Sequence, residues 1–203
     1  MATVTYTSGD GRSALLSAAL DELQEHGASN LSLRAIARRA GVSHAAPKHH
    51  FHDRAGLLTA VATSGFRRLH HALAEAVGSA GDDPARQFTA GARAYVTFGL
   101  RNPQLFSLMF RADELDASSP ELRLRKKAAY DVLRHGIAAG AAPRENVTTE
   151  NLSLIALSFM HGLVVLIRDG ALNLRSETDI DELVTTLTET FTDMIRTLQK
   201  GTP

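Results

Sequence analysis

The sequence contains no cysteine and no tryptophan, and only six of its 203 residues are proline. Without thiols, the chain has no disulfide, no thiolate metal ligand and no cysteine nucleophile. A reducing compartment is compatible with this composition. The N-terminal segment has neither a basic start nor an apolar run, so we predict no secretory signal and expect a cytoplasmic protein.

Long apolar runs are also scarce. The strongest candidate for a membrane-spanning segment is Leu152 to Ile167. It is interrupted by two serines and a histidine and is shorter than a typical membrane-spanning helix. We therefore interpret it as a buried helix and predict no membrane association. Apolar residues make up 44% of the chain, which is enough to form a hydrophobic core.

Charge is unevenly distributed, although the formal net charge is zero. Between Ser32 and His71 there are seven Lys and Arg residues but only one acid, Asp53, so this block carries +6. From Ala72 to the C-terminus, 14 basic and 17 acidic residues leave a net charge of −3. A basic block joined to a mildly acidic remainder indicates two different roles in one chain.

Helical spacing of apolar residues dominates the sequence and strand-like alternation is nearly absent, so we predict an all-α protein. Glycine, proline and capping residues mark the helix ends. The predicted helices are Arg12–His26, Leu33–Ala40, His44–His50, a long helix from Asp53 to Val77, Pro84–Arg101, Pro103–Arg111, Pro120–Gly140, Thr148–Asp169 and Ile180–Lys200.

The stretch AGVSHAAPKHHFHDRAGLL, from Ala40 to Leu58, breaks the helical pattern with glycine, proline and four histidines. Ser32 is positioned to cap the helix that Gly41 ends, Ser43 to cap the next one and Asp53 to cap the long helix that follows. Glycine permits the backbone conformation that closes such a turn, so the segment predicts a helix-turn-helix. The second helix is expected to bury Phe51. Its predicted outer face carries His44, Ala45, Lys48 and His49.

The run LSLRAIARRAGVSHAAPKHHFHDRAGLL resembles the DNA-binding segment of TetR-family transcriptional regulators. The matching features are the Leu-x-x-Ile-Ala…Ala-Gly-Val-Ser core from Leu33, the His50–Phe51 pair, the basic Arg54 and the Leu57–Leu58 start of a long helix. The resemblance implies a ligand-responsive regulator, most often a repressor. It also implies a homodimer that binds a palindromic operator in double-stranded DNA and needs no cofactor.

The sequence departs from that family at two of these positions. The family usually has a tyrosine where Lys48 stands and a lysine where Arg54 stands. Lys48 keeps a phosphate donor but loses an aromatic contact. Farther along, the run from Asn102 to Phe106 and the His161-Gly162 pair are similar to a ligand-domain subgroup named for a Trp…His-Gly motif, although this chain has no tryptophan.

The resemblance implies a DNA-binding domain at residues 8–54 and a helical effector-binding and dimerisation domain at 55–203. The basic and polar residues of the first domain are expected to contact phosphates and base edges in the major groove. The predicted DNA contacts are Ser32, Arg34, Ser43, His44, Ala45, Lys48, His49 and Arg54.

Apolar bulk concentrates between two predicted helices of the second domain. It is compatible with an ordinary core and with the lining of an apolar effector pocket, since ligand sites in helical domains lie between helices. Both interpretations stay open for each residue. The predicted small-molecule contacts are Tyr95, Phe98, Phe106, Met109, Phe110, Tyr130 and His161.

The last two predicted helices argue for self-association. The first is apolar nearly all round and the second carries one apolar stripe, so pairing with a second copy would cover both. A two-fold four-helix interface satisfies this need and resembles the family arrangement. The predicted interface residues are Leu157, Val164, Leu183, Leu187 and Phe191.

A small helical hydrolase or a histidine-based metal protein is the alternative function. The histidines are its only support, because nucleophile, phosphate-loop and zinc-protease motifs are missing from the sequence. We therefore predict neither a metal nor catalytic residues.

Overall fold

The computed structural model describes residues 8–140, 148–172, 174 and 176–200. Residues 1–7 of the N-terminal segment discussed above lie outside this range. The described residues contain nine α-helices and no strand, which confirms the predicted all-α class. The helices are α1 (Ser8–His26), α2 (Leu33–Arg39), α3 (Ala46–Phe51), α4 (Arg54–Gly78), α5 (Pro84–Arg101), α6 (Pro103–Met109), α7 (Pro120–Gly140), α8 (Thr149–Arg168) and α9 (Glu177–Lys200).

The chain forms two compact units. The first contains the described residues up to Phe66 together with Asn102–Arg125, and the second contains Arg67–Arg101 and the described residues from Lys126 onwards. Helix α4 begins in the first unit and continues into the second. The functional domain limits of 8–54 and 55–203 stay a prediction.

The first unit is built around α1, which packs against α2, α3 and α6. Two predicted caps are confirmed. Ser32 Oγ accepts a hydrogen bond from Ala35 N at 3.2 Å, and Asp53 Oδ1 accepts one from Gly56 N at 2.8 Å. These bonds satisfy backbone donors that a helix start leaves unpaired. The largest fully buried side chains here include Leu15, Leu23, Ile36, Leu57, Leu58 and Phe106.

The start of α3 differs from the prediction. The helix begins at Ala46, and Ala45 occupies the N-cap position without a side-chain cap bond, so Ser43 is not its cap. The Ser43 carbonyl instead accepts the Ala46 N–H at 3.1 Å in a turn before the helix. The later start leaves Pro47 in the first turn, where a residue without an N–H is tolerated.

Gly65 explains why α6 belongs to the first unit although it follows α5 in the chain. A Cβ at Gly65 would lie 2.6 Å from Met109 Sδ and 3.1 Å from Leu105 Cδ1. A larger residue at this position would therefore displace the Met109 and Leu105 side chains where α6 packs against α4. Leu105 and Met109 are 4% and 2% exposed, so this contact is part of the hydrophobic core.

In the second unit, α5 packs against α8 and α9. Phe191 stacks with Phe88 and Phe159 at centroid distances of 5.4 and 5.9 Å. The surrounding core also contains Ile137 and Leu152. This aromatic stack joins α5, α8 and α9 and places one face of α8 in the interior.

The opposite side of α8 is exposed within one copy of the chain. Leu154, Ile155 and Leu166 are 49%, 54% and 46% exposed. By length and composition, α8 is the one helix among the described residues that is apolar enough to cross a membrane, but core helices meet the same criteria. Helix α8 is therefore apolar on more than one side, as predicted, but one copy of the chain buries only part of its apolar surface.

Candidate nucleic-acid interface and effector site

The turn between α2 and α3 has the geometry expected of a helix-turn-helix. Gly41 has a φ of 67°, in the left-handed region that glycine adopts without steric cost. Val42 N donates to Ala37 O at 3.1 Å, so the chain closes back on α2 before α3 begins. Because α1 also packs against both helices, the three helices pack together around one core.

Helix α3 has one buried and one exposed face. Phe51 is 2% exposed, and the Arg12 guanidinium lies 5.8 Å from the centre of its ring. Pro47 is also buried. The opposite surface carries the predicted reading residues, all of them exposed: His44, Ala45, Lys48 and His49.

The predicted contacts before α3 are also exposed. Ser32 caps α2, Arg34 lies in its first turn, and Ser43 lies in the turn that follows. Arg34 and its neighbour Arg38 have no ion pair within the part of the chain that the structure describes. Their side chains are therefore available to a polyanion.

Arg54, another predicted phosphate contact, is engaged within its own unit. Its Nη2 donates to Ala28 O at 2.9 Å, and both Nη atoms lie 3.2 Å from Glu114 Oε2. Hydrogen bonds from Arg111 and then from Arg54 hold the pKa of Glu114 below its usual range. This guanidinium thus ties the start of α4 to the segment after α6.

Arg39 has an environment that the sequence analysis did not anticipate. Its Nε donates to Glu22 Oε1 at 2.8 Å and its Nη1 donates to Glu25 Oε1 at 2.8 Å. Its Nη2 donates to the second oxygen of Glu25. These bonds, first those to Glu25, raise the pKa of Arg39 and lower that of Glu25. The available signal was the pair of glutamates one helical turn apart on α1.

The structure brings together two of the predicted effector residues. Tyr95 Oη lies 3.1 Å from His161 Nδ1, linking α5 to α8. Tyr95 is 3% exposed, and burial raises the pKa of its phenol. Burial, and then the positive charge of Arg168, lower the pKa of His161. Both groups are therefore neutral at neutral pH. Phe98 is buried in the same unit.

The other predicted effector residues lie elsewhere. Tyr130 donates to Glu150 Oε1 at 3.1 Å in the second unit. Phe106, Met109 and Phe110 belong to the first unit, where the Phe106 and Phe110 ring centres are 5.0 Å apart. The seven residues are thus divided between two units. Their joint role in ligand binding stays a prediction.

The predicted interface residues differ in burial. Val164 is fully buried and Phe191 is 8% exposed, so both already pack within their own unit. Leu157, Leu183 and Leu187 are half-buried. Among the side chains of α8 and α9 that the structure describes, the large exposed apolar ones are Leu154, Ile155, Leu166 and Met194.

The fold and the turn geometry define an all-helical protein with an N-terminal helix-turn-helix. Residues 15–61 match the family of bacterial regulatory proteins called the tetR family. Residues 88–191 match the tetracyclin repressor-like C-terminal domain. Because this second match alone covers more than half of the chain, the protein belongs to the TetR family.

Individual relatives agree with this assignment. A solved structure of a protein with unknown function from Rhodococcus sp. RHA1 is 35% identical, with a TM-score of 0.81 over 95% of this chain and 99% of that one. The HTH-type transcriptional regulator BetI of Stenotrophomonas maltophilia is 35% identical over 79 residues, and that of Ectopseudomonas mendocina is 42% identical over 67. These alignments span only 40% and 32% of the two BetI proteins.

None of these matches supports the alternative of a hydrolase or a metal protein. Among the described residues, no group of three or more His, Asp or Glu side chains is arranged to hold a metal ion. The neighbouring histidines of α3 contact each other through their rings. His49 and His50 contact each other edge to face at 5.3 Å between ring centres.

Proposed function

We propose that the protein is a sequence-specific DNA-binding transcriptional regulator that reads the major groove with α3. The observation that carries this proposal is the two-faced character of α3. Its Phe51 side is buried in the core, whereas Lys48 and His49 are exposed, as is Arg34 on α2. Positive side chains on this surface suit phosphates, while His44 and Ala45 suit base edges.

Lys48→Ala tests this interface. We expect the substitution to weaken binding to all DNA sequences and to reduce the slope of log affinity against log salt by about one unit, because one phosphate contact is lost. Titration of labelled DNA over a series of salt concentrations measures both quantities. Lys126→Ala, an exposed lysine on α7, is the matched control and should change neither. An unchanged slope for Lys48→Ala removes this residue from the interface.

We also propose that two copies pair through α8 and α9. A stripe of exposed or half-buried positions follows one face of α8, with Ile155 and Leu166 at its ends and Ser158 and Gly162 between them. Small residues at the centre allow two helices to approach closely. A two-fold pair would present two α3 helices to successive major grooves, so the operator would be palindromic.

We further propose that the protein is a cytoplasmic repressor and that a small apolar or aromatic effector releases it from DNA. The Tyr95–His161 pair supports this, because two neutral polar groups lie among apolar side chains between α5 and α8. Such a pair suits a ligand with one carbonyl or acidic group on an apolar body. The ligand shifts the protein between states only if its affinity for them differs.

Tyr95→Phe tests the effector site. We expect DNA affinity near that of the wild type but roughly tenfold weaker release by the ligand, because one hydrogen-bonding group is lost. The measurement is operator affinity with and without medium-chain fatty acids and aromatic carboxylic acids. Tyr130→Phe removes the hydroxyl that bonds to Glu150 and serves as the comparison. Equal ligand response in Tyr95→Phe and the wild type would place the effector elsewhere.

A further inference from the structure

We infer that Arg39 is a positioning residue for DNA reading, which holds α2 and the following turn on α1 and thereby orients α3. The inference rests on the proposed DNA-binding function. It assigns to Arg39 a role in holding two helices together, in contrast to the exposed arginines of α2 that have no ion pair among the described residues, Arg34 and Arg38.

The bonds of Arg39 form a fork that few other side chains could replace. Three N–H groups are used, one on Glu22 and two on Glu25, so a planar guanidinium spans two carboxylates. Lysine carries the same charge but presents a single ammonium group and cannot reproduce this geometry. The arrangement therefore holds α2 against α1 and also fixes the orientation of α2 relative to α1.

Glu22 makes the contact structurally important. It is only 8% exposed, and a carboxylate in such a site requires a hydrogen-bonded partner. Its second oxygen lies 3.1 Å from His26 Nδ1 on the same helix. Arg39 is thus the partner that comes from another helix. Loss of Arg39 would leave Glu22 without its link to α2.

Arg39 lies at the end of α2 that leads into the turn and α3. It is the last residue of α2 and is followed directly by Ala40 and by Gly41, the left-handed residue of the turn. A change in the direction of α2 at this end passes into the turn and then into α3. Helix α3 has only six residues, so most of its orientation is set by its neighbours.

Arg38 provides a natural comparison because it is adjacent, exposed and without an ion pair in the described part of the chain. The positive charge of Arg39 is offset locally by Glu22 and Glu25, so it adds little to the field that attracts DNA. A phosphate contact is electrostatic and tolerates lysine, whereas a positioning contact depends on geometry. The two roles therefore predict different responses to conservative substitution.

The experiment compares affinity for a sequence selected from a random DNA pool with affinity for random DNA, over a salt series. The first variant is Arg39→Lys. The double glutamine variant combines Glu22→Gln with Glu25→Gln, and the triple variant adds Arg39→Gln to these two changes. Arg38→Gln is the control. The triple variant carries no buried carboxylate that lacks its cation, so it remains a usable probe if single changes unfold the protein. Folding is checked by circular dichroism at the titration temperature.

We expect Arg39→Lys and the double glutamine variant each to lose about tenfold in affinity for the selected sequence, with random-DNA affinity and the salt slope retained. The triple variant should be no weaker than the double variant, because both remove the same contact. Arg38→Gln should instead weaken both kinds of binding.

Wild-type affinity in Arg39→Lys would overturn the inference. Equal losses on both DNAs would also overturn it: a lower salt slope would identify a phosphate contact, and an unchanged slope would identify a general structural role. A wild-type protein without DNA affinity would remove the proposed function itself, and this outcome is distinct from all the others.

Discussion

Ile155→Glu is expected to convert the protein from dimers into monomers and to abolish operator binding. Ile155 is 54% exposed in one copy, so the protomer should fold normally. In the proposed pair, each copy would bury an unpartnered carboxylate at a cost of roughly 3–5 kcal/mol, so the two copies together would weaken association by about ten-thousandfold or more. Operator affinity falls with it, because one half-site contact is weak.

Leu124→Glu is the matched control for this experiment. Leu124 is 59% exposed and lies on α7, which is not part of the proposed α8–α9 pair, so its substitution should change neither mass nor DNA affinity. Sedimentation at micromolar protein concentration measures the mass of both variants. Leu187→Glu is a less specific probe, because Leu187 is already half-buried in its own unit. A dimeric Ile155→Glu variant would contradict the proposed α8 interface.

Phe106→Ala is expected to destabilise the DNA-binding unit severely. Phe106 is 1% exposed and packs against Phe110. Truncation of a buried phenylalanine costs about 3–5 kcal/mol, a large share of the 5–15 kcal/mol that stabilises a typical domain. We therefore expect a lower unfolding midpoint and weaker DNA binding at 37 °C, near the working limit of many mesophilic domains.

Phe106→Leu separates packing from ligand contact, because leucine retains most of the apolar volume. Its cost should be below about 1.5 kcal/mol if a small repacking suffices. Denaturant titration followed by circular dichroism gives both values. A Phe106→Ala variant that is as stable as the wild type and loses only its response to ligand would instead assign Phe106 to an effector pocket.

Local signals in the sequence predicted most of the fold. Apolar spacing located every helix to within a few residues, and the Ser32 and Asp53 caps and the Gly41 turn were identified from residue type alone. These features depend on residues close together in the chain, as does the burial of Phe51. The start of α3 was placed two residues too early, because the preference for serine at a cap was stronger than the signal from Pro47.

Contacts between distant residues were not accessible in the same way. The ties from Arg39 to α1 and from Arg54 to Glu114 join residues up to 60 positions apart, and a sequence does not show which surface charges are paired. Apolar spacing likewise identified Phe98 and Phe106 as buried. It could not indicate that they belong to different compact units.

Selection of bound sequences from a random double-stranded DNA pool tests the central claim most directly. The account predicts enrichment of a palindrome whose half-sites are separated by about one helical turn, or a multiple of it, because two α3 helices enter successive major grooves. Lys48→Ala should recover the same palindrome with lower yield. A pool that shows no enrichment with the wild-type protein, together with no salt-dependent binding to any DNA, would contradict the account.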